Sequence, residues 1–251
     1  HSGRFVSLRE MVGFYSKGCL AGAAALPADG PAWQAMRPSR NRHWAHPELI
    51  RFLEQFSASA AGVSGWPGLL IGDLSQARGG PMRGGHASHQ IGLDADIWLL
   101  PMPARTLSRQ EREQLSSLNV VRADRLDINA SWTAAHLAVI RAAALAPQVQ
   151  RVFVNPAIKK AMCRTQAGQD WMGKVRPTAG HDYHFHVRLH CPPGAVGCVA
   201  QDPVAAGDGC DASLDWWFSA EALNPKPGGP AKPPLKMADL PTQCVVVLDA
   251  E

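Results

Sequence analysis

A chain of 251 residues with 46% hydrophobic and 18% charged side chains is long enough to bury a substantial core and is typical of globular proteins. Its formal charge of +4 is mild, and no apolar run reaches the roughly 18 residues of a membrane span, so we predict none. The densest basic patch, RPSRNRHW at 37–44, is short and mixed with aromatic side chains. We expect a solvated surface there and no nucleic-acid partner.

The first half of the chain contains one predicted helix and two predicted strands. Apolar side chains recur at helical spacing in the helix, which has Gly62 near its end, and the strands are short apolar runs between turn residues. These elements are an amphipathic helix over 46–62, a buried strand over 68–74, a glycine-rich loop over 77–92 and a strand over 93–100.

The second half contains two further helices and two further strands. The longer helix has Ser131 as its predicted N-cap and Pro147 just beyond its end, and Pro156 begins the shorter one. These elements are a helix over 131–146, a strand over 149–155, a helix over 156–163 and a strand over 183–191.

After residue 192 the composition shifts to proline, glycine, aspartate and cysteine. The stretch 224–236 is too rich in proline for regular structure, yet Cys244 beyond it suggests a tail pinned to the body. Strands and helices alternate too irregularly for a doubly wound sheet. We therefore predict a single α+β domain over 1–223, with a central antiparallel sheet flanked by helices, and an extended proline-rich extension over 224–251.

Six scattered cysteines indicate the redox compartment. They form no CxxC pair, and their spacings are too wide and irregular for a zinc knuckle. An even number favours three disulfides in an oxidising compartment, although the sequence alone allows 15 pairings. Six reduced thiols in a cytosolic protein remain the alternative.

The stretch HDYHFHVRLHC at 181–191 holds four of the ten histidines. Alternation along a strand sends successive side chains to opposite faces. The pattern directs one set into the core, namely Tyr183, Phe185, Val187 and Leu189, and a second set to the other face, namely Asp182, His184, His186, Arg188 and His190. A His-x-His pair on such a face can bind a metal, and an ordinary polar face is the alternative.

A second histidine-rich stretch is GGHASHQIGLDADIW at 84–98. His89 and Asp96 can converge only if His89 lies in the loop before the strand, with a turn at Gly92. Asp94 shares a face with Asp96, so spacing alone does not choose between the two carboxylates. A catalytic zinc commonly takes three protein ligands and leaves a fourth position for water, which these residue types can supply.

Other hydrolase signatures are absent from the sequence. There is no HExxH helix, no GxSxG serine elbow and no glycine-rich phosphate loop. The histidine and aspartate stretches are therefore the strongest indication of chemistry.

Together with RVFVNPAIKKAMC at 151–163, these two stretches resemble the penicillin-insensitive murein endopeptidases. That family is part of a wider group of zinc peptidases that includes lysostaphin, D-Ala-D-Ala metallopeptidases and the hedgehog domain. The group is marked by His-x6-Asp followed later by His-x-His. The resemblance extends from the Cys19 region through the GDGC at 207–210 to the proline-rich tail and its cysteine.

The resemblance implies roles for individual residues. His89, Asp96 and His186 correspond to zinc ligands, and His184 and His181 to catalytic histidines, which leaves Asp94 as a neighbour of the ligands. An additional metal position is implied at His86, Asp124 and Asp127. We also expect nearby arginines to bind substrate carboxylates, namely Arg78, Arg83 and Arg188.

The resemblance further implies the disulfides Cys19–Cys244, Cys163–Cys210 and Cys191–Cys198. It implies a periplasmic location, with a signal peptide removed before residue 1, and leaves the oligomeric state open.

The implied activity is zinc-dependent hydrolysis of the D-Ala–meso-diaminopimelate cross-links of peptidoglycan. Penicillin insensitivity is expected, because β-lactams acylate serine nucleophiles. The alternatives are a D,D-carboxypeptidase or dipeptidase on the same zinc site, and a non-catalytic, zinc-stabilised module that binds the cell wall.

Overall fold

A mixed seven-stranded sheet organises the computed structural model, which describes residues 10–82, 84, 86–225 and 233–249. Two further sheets in these residues have two strands each. The strands are β1 (Glu10–Phe14), β2 (Lys17–Ala21), β3 (Ala24–Ala25), β4 (Asp29–Gly30), β5 (Trp33–Ala35), β6 (Trp44–Ala45), β7 (Leu69–Ile71), β8 (Asp94–Trp98), β9 (Val149–Val154), β10 (Val175–Pro177) and β11 (His184–Leu189).

Helices of very different lengths connect and flank these strands. The described α-helices are α1 (Pro47–Ser64), α2 (Arg109–Gln114), α3 (Ala134–Leu145), α4 (Pro156–Gln166), α5 (Ala212–Asp215), α6 (Ala220–Leu223) and α7 (Gln243–Asp249). Short 3-10 turns occupy Pro38–Arg40, Asp170–Lys174, Trp216–Phe218 and Met237–Asp239.

The order of the strands in the large sheet is β10-β9-β11-β8-β7-β5-β4. The four strands β9, β11, β8 and β7 pair antiparallel, whereas β10 runs parallel to β9 and β5 parallel to β7. The predicted single α+β domain with a central antiparallel sheet is confirmed. The parallel pairs lie outside those four strands, where longer connections return the chain in the same direction.

Strand alternation separates an apolar face from a polar face. Phe185 and Val187 of β11, like Ala95 and Ile97 of β8, are fully buried in the main core. Helices α1 and α3 pack against each other, and α3 packs against β9. The prediction for Tyr183 is wrong, because its side chain is 47% exposed. Strand β11 begins only at the next residue, so alternation does not govern its position.

The start of α3 also differs from the sequence prediction. Ser131 does not cap the helix, which begins at Ala134 with Thr133 as its N-cap residue. The His136 ring provides the reason, because its Nδ1 accepts the Thr133 backbone N–H at 3.0 Å and lies 2.9 Å from the Thr133 Oγ1. A histidine in the first turn therefore determines the capping position.

We expect Thr133→Ala to lower the free energy of unfolding by about 0.5–1 kcal/mol, because a capping interaction of this helix is lost. Ser131→Ala is the matched control and should change it by less than about 0.5 kcal/mol. Urea denaturation followed by circular dichroism measures both variants. A larger loss of unfolding free energy in Ser131→Ala than in Thr133→Ala would show that Ser131 is the capping residue.

The structure contains three disulfides, and their pairs are those that the resemblance implies: Cys19–Cys244, Cys163–Cys210 and Cys191–Cys198. The first two join residues far apart in the sequence, whereas the third closes a local loop with a separation of 7. The first attaches α7, near the C-terminus, to β2. Residues 226–232 and 250–251 of the predicted extension lie outside the described residues. Within the described ranges, no helix combines the length and hydropathy needed to cross a membrane.

Candidate functional site

The polar face of β8 and β11 carries the candidate site. The antiparallel register places His186 opposite Asp96 and Arg188 opposite Asp94. Directly opposed residues on one face have Cβ atoms only about 4.5–5.5 Å apart. Two strands far apart in the sequence, with His186 and Asp94 separated by 92 positions, thus bring imidazole and carboxylate groups together.

The loop before β8 brings two more histidines to this face. His89 adopts a left-handed backbone conformation with φ 69°, and the expected turn is present at Gly92 with φ 72°. A Cβ atom on Gly92 would lie 2.7 Å from the backbone nitrogen of His46, so the position requires glycine. The His89 backbone N–H donates to Asp94 Oδ2 at 3.1 Å, which fixes the loop to the strand that it precedes.

The two oxygens of the Asp96 carboxylate face different histidines. Oδ1 lies 3.4 Å from His89 Nε2, 3.6 Å from His186 Nδ1 and 3.6 Å from His184 Nε2. Oδ2 lies 3.7 Å from His86 Nδ1. Asp96 is therefore the centre of a group of four histidines.

Several polar atoms in this group are buried without a hydrogen-bond partner among the described residues. They are both ring nitrogens of His89, Oδ1 of Asp96 and Nδ1 of His184. Burying polar atoms without partners is costly, so such a cluster calls for a ligand. One ligand atom each from His86, His89 and Asp96 can be chosen with all three within 4.8 Å of one another. Imidazole nitrogens and a carboxylate are a donor set that suits zinc.

Two buried carboxylates orient the outer histidines of this group. Asp94 Oδ1 accepts His186 Nε2 at 2.7 Å, which leaves Nδ1 directed at Asp96. Asp73 Oδ2 lies 2.9 Å from His86 Nε2, which leaves the Nδ1 of that ring nearest Asp96. A carboxylate behind a histidine is the usual support of a metal ligand, because it fixes the tautomer and the ring orientation.

The protonation states suit metal binding. Burial lowers the pKa of His186 to about 4, although the Asp94 carboxylate opposes this change. Burial likewise lowers the pKa of His184, so both imidazoles are neutral at pH 7. The pKa of Asp96 is lowered although burial opposes ionisation, because His89 and His184 stabilise the carboxylate. His184 and His186 therefore offer neutral nitrogens, and Asp96 offers an ionised oxygen. Burial disfavours the cation of His89, but the Asp96 carboxylate outweighs it and raises the pKa of this ring, so a metal bound there would displace a proton from it.

Two adjoining cavities meet at this group. The larger, of about 890 Å³, is bordered by Phe153, His181 and Arg188, among others, and we call it the first lobe. The smaller, of about 350 Å³, is bordered by Arg37, Trp98 and Asn119, among others, and we call it the second lobe. Five residues line both lobes and form the junction between them: Arg40, His86, Asp96, Tyr183 and His184. A ligand at the junction can therefore extend in two directions.

The remaining predicted histidine, His181, lies at the edge of the first lobe. Its ring centroid is 4.9 Å from that of His184, and its Nδ1 lies 3.0 Å from the Ala179 carbonyl oxygen. In the neutral ring, Nδ1–H donates to that carbonyl, and Nε2 is the nitrogen left for other partners.

The structure separates the arginines that were expected to bind substrate. Arg188 borders the first lobe but is buried, with Nε donating to Asp94 Oδ1 at 2.7 Å and Nη1 to Gln201 at 2.9 Å. Arg78 does not border either lobe and donates instead to the Leu248 carbonyl. Arg83 lies outside the described residues.

The additional metal position expected at His86, Asp124 and Asp127 is not assembled in the structure. Asp124 pairs with Arg122 and Asp127 with Arg164, and neither carboxylate borders the two lobes. His86 has Asp73 as its carboxylate partner instead. Each of these two carboxylates therefore has an arginine as its ion-pair partner and does not contact the histidines of the site.

Sequence analysis missed two residues of this site. Asp73 is nearly fully buried and lies two residues after the end of β7. An aspartate within the apolar stretch that was predicted as a buried strand over 68–74 was a signal for it. Arg40 belongs to the basic patch at 37–44, which was expected to be a solvated surface. It borders both lobes instead.

Comparisons with known proteins identify relatives of this chain. The sequence profile of the family described as penicillin-insensitive murein endopeptidase matches residues 11–249. A protein of that name from Haemophilus influenzae is 43% identical over 247 residues, which cover 95% of this chain and 82% of the relative. Proteins of the same name from Yersinia enterocolitica and Klebsiella pneumoniae are 40% and 42% identical, and each alignment covers 96% of this chain and 86% of the relative.

Proposed function

The chain belongs to the penicillin-insensitive murein endopeptidase family, and we propose that it uses zinc to hydrolyse the D-Ala–meso-diaminopimelate cross-links of peptidoglycan. The observation that carries the proposal is the position of the unpartnered donor atoms: Asp96 Oδ1 lies at the junction of the two lobes, and the His89 ring borders the first lobe beside it. A cross-link has a peptide on each side of its scissile bond, so a two-sided cavity suits it. An enzyme with this substrate would act in the periplasm, where cross-linked peptidoglycan and disulfides both occur.

His89, Asp96 and His186 would hold the zinc ion. All three point donor atoms into the same space, since His89 Nε2 and His186 Nδ1 each lie within 3.6 Å of Asp96 Oδ1. When bound, zinc acidifies a water molecule and polarises the scissile carbonyl. His86 faces the other oxygen of Asp96 and would adjust the charge and position of that carboxylate.

Two further histidines are placed for proton transfer. His184 is neutral at pH 7 and turns Nε2 towards Asp96, so this nitrogen can accept a proton from the attacking water. His181 has Nδ1 occupied by a backbone carbonyl and would use Nε2 towards the tetrahedral intermediate or the leaving amine. No serine acts as nucleophile in this scheme, so β-lactams have no residue to acylate.

Two alternatives share the same zinc site. A D,D-carboxypeptidase or dipeptidase releases a small leaving group and would need little of the smaller lobe. A zinc-stabilised binding module would use its metal only as support, and such structural sites are usually closed by a fourth protein ligand. The presence of His181 and His184 beside the donor group favours catalysis over binding alone.

Purified muropeptides distinguish the endopeptidase from the carboxypeptidase. We expect the protein to convert a D,D-cross-linked dimer into monomers with a kcat/KM at least roughly tenfold above that for a monomeric pentapeptide. Chromatography with mass detection measures both reactions. Preferential trimming of the pentapeptide would replace the proposal with the carboxypeptidase.

Metal removal provides a test of the donor group that does not depend on activity. We expect zinc at about 100 times its Kd to stabilise the chelator-treated protein by roughly 2–3 kcal/mol, because the ion binds the folded state. His186→Ala should remove most of this gain. Thermal unfolding with and without zinc measures it, and an unchanged transition in the wild type would contradict zinc binding at this site.

A further inference from the structure

The basic patch at 37–44 forms a wall of the candidate site. Arg37 and Asn41, on either side of the turn Pro38–Arg40, both adopt left-handed backbone conformations, with φ of 56° and 52°. Such conformations persist only when the surroundings enforce them, and they concentrate at functional sites. Here Arg37 Nη2 donates to the Leu115 carbonyl at 2.8 Å, and the Ser39 hydroxyl donates to the carboxylate of Glu113 at 2.8 Å. The segment is therefore held rigidly.

Arg40 is connected to the donor group through one buried carboxylate. Asp73 Oδ2 accepts Arg40 Nη1 and Arg42 Nη1, each at 3.0 Å, and lies 2.9 Å from His86 Nε2. The Asp73 side chain is 3% exposed, whereas that of Arg40 is 49% exposed. The bond to Asp73 fixes one nitrogen of a guanidinium that has five N–H donors, so the planar group is oriented while half of its surface remains accessible.

The other arginines around the two lobes are engaged in the structure. Arg188 is 7% exposed and pairs with Asp94, while the Arg37 guanidinium donates to backbone carbonyls and lies over the Trp98 ring. Arg42 also borders the first lobe and pairs with Asp73, and its side chain is 17% exposed. Arg40 differs from these three arginines because it borders the junction and keeps half of its side chain exposed.

We propose that Arg40 binds the free carboxylate next to the scissile bond of the substrate. This inference rests on the proposed function, and it names the substrate group that the junction selects. In a D,D cross-link the scissile amide nitrogen is attached to the carbon that bears a free carboxylate. Arg40 borders the junction together with His86 and the proposed ligand Asp96, so this cation lies where that carboxylate arrives when the carbonyl reaches the donor group. A guanidinium can pair with both carboxylate oxygens at once.

Two forms of one substrate test the proposal. One is a cross-linked muropeptide dimer with the carboxylate free, and the other carries a primary amide at the same position. For the wild type we expect kcat/KM to be roughly 10- to 100-fold higher for the acid, as for a charge-assisted hydrogen bond. Arg40→Gln should bring this ratio close to one, mainly by raising KM for the acid, and Arg40→Lys should restore part of it.

Arg51→Gln is the matched control. Arg51 also pairs with a carboxylate and is 54% exposed, but it lies on α1 and borders neither lobe. For Arg51→Gln, the ratio of kcat/KM for the acid to kcat/KM for the amide should equal that of the wild type. A merely structural role of Arg40 would slow both substrates equally, so an unchanged ratio in Arg40→Gln would overturn the inference.

A binding measurement separates this inference from the proposed function. If the wild type cleaves neither dimer, the proposed function fails, and calorimetry with the two dimers still measures whether Arg40 selects the acid. A preference for the acid that Arg40→Gln removes would support the inference. Equal affinities of the wild type for acid and amide would overturn it.

Discussion

Replacing His184 with alanine is expected to lower kcat for cross-link hydrolysis by roughly 10²- to 10⁴-fold, the usual contribution of a general acid or base. The protein should nevertheless retain about one zinc ion per chain, because the three proposed ligands are unchanged. The expected loss follows from the position of Nε2, which is 3.6 Å from Asp96 Oδ1 and is held neutral by burial.

His190→Ala is the control for this variant, since His190 is an exposed histidine just beyond the end of the same strand. It should leave both kcat and the zinc content near those of the wild type. Metal analysis of each purified variant accompanies the kinetics. Turnover by His184→Ala at more than a tenth of the wild-type rate would remove the assigned role, and loss of zinc would make His184 a ligand instead.

Asp94→Asn is expected to weaken both the fold and the zinc site. Asp94 is fully buried and accepts bonds from the Arg188 guanidinium, the His186 ring and the His89 backbone. Removing its charge leaves Arg188 without its buried partner, and breaking such a pair costs about 3–5 kcal/mol. Zinc affinity should fall by roughly 10- to 100-fold, because the carboxylate that orients His186 is lost.

Asp182→Asn is the matched control, because Asp182 is a partly exposed carboxylate. Within the described part of the chain, its side chain accepts a hydrogen bond from the Asn119 amide alone. This substitution should lower the free energy of unfolding by less than about 1 kcal/mol. Urea denaturation measures the stability of both variants, and titration against a competing chelator measures zinc affinity. If Asp94→Asn matched Asp182→Asn in both measurements, Asp94 would be neither the support of Arg188 nor that of His186.

Much of the fold could be predicted because strand alternation and helical spacing are local properties of the sequence. The burial of Phe185 and Val187, and the polar face that holds His184 and His186, follow directly from a period of two residues. The errors occur at element ends. Tyr183 precedes its strand, and Thr133 replaces Ser131 as the cap because a histidine in the first helical turn provides the partner.

The candidate site could be predicted only as far as its motifs extend. His89, Asp96 and His186 were predicted as zinc ligands because their spacing matches a family pattern, and the structure brings the three side chains together. Asp73 and Arg40 belong to no such pattern, and they are connected with His86 only through the folded chain. The same applies to Asp124 and Asp127, since no sequence signal shows that Arg122 and Arg164 are their partners.

The most direct test of the central claim uses purified, cross-linked sacculi incubated with the protein, with a chelator, and with the chelator followed by excess zinc. Mass spectrometry of the released muropeptides measures the dimers, the monomers and the bond that is broken. We expect dimers to be converted to monomers by cleavage between D-Ala and meso-diaminopimelate, in a reaction that the chelator stops, zinc restores and penicillin leaves unchanged. Persistence of the dimers in the presence of zinc-loaded protein would contradict the account.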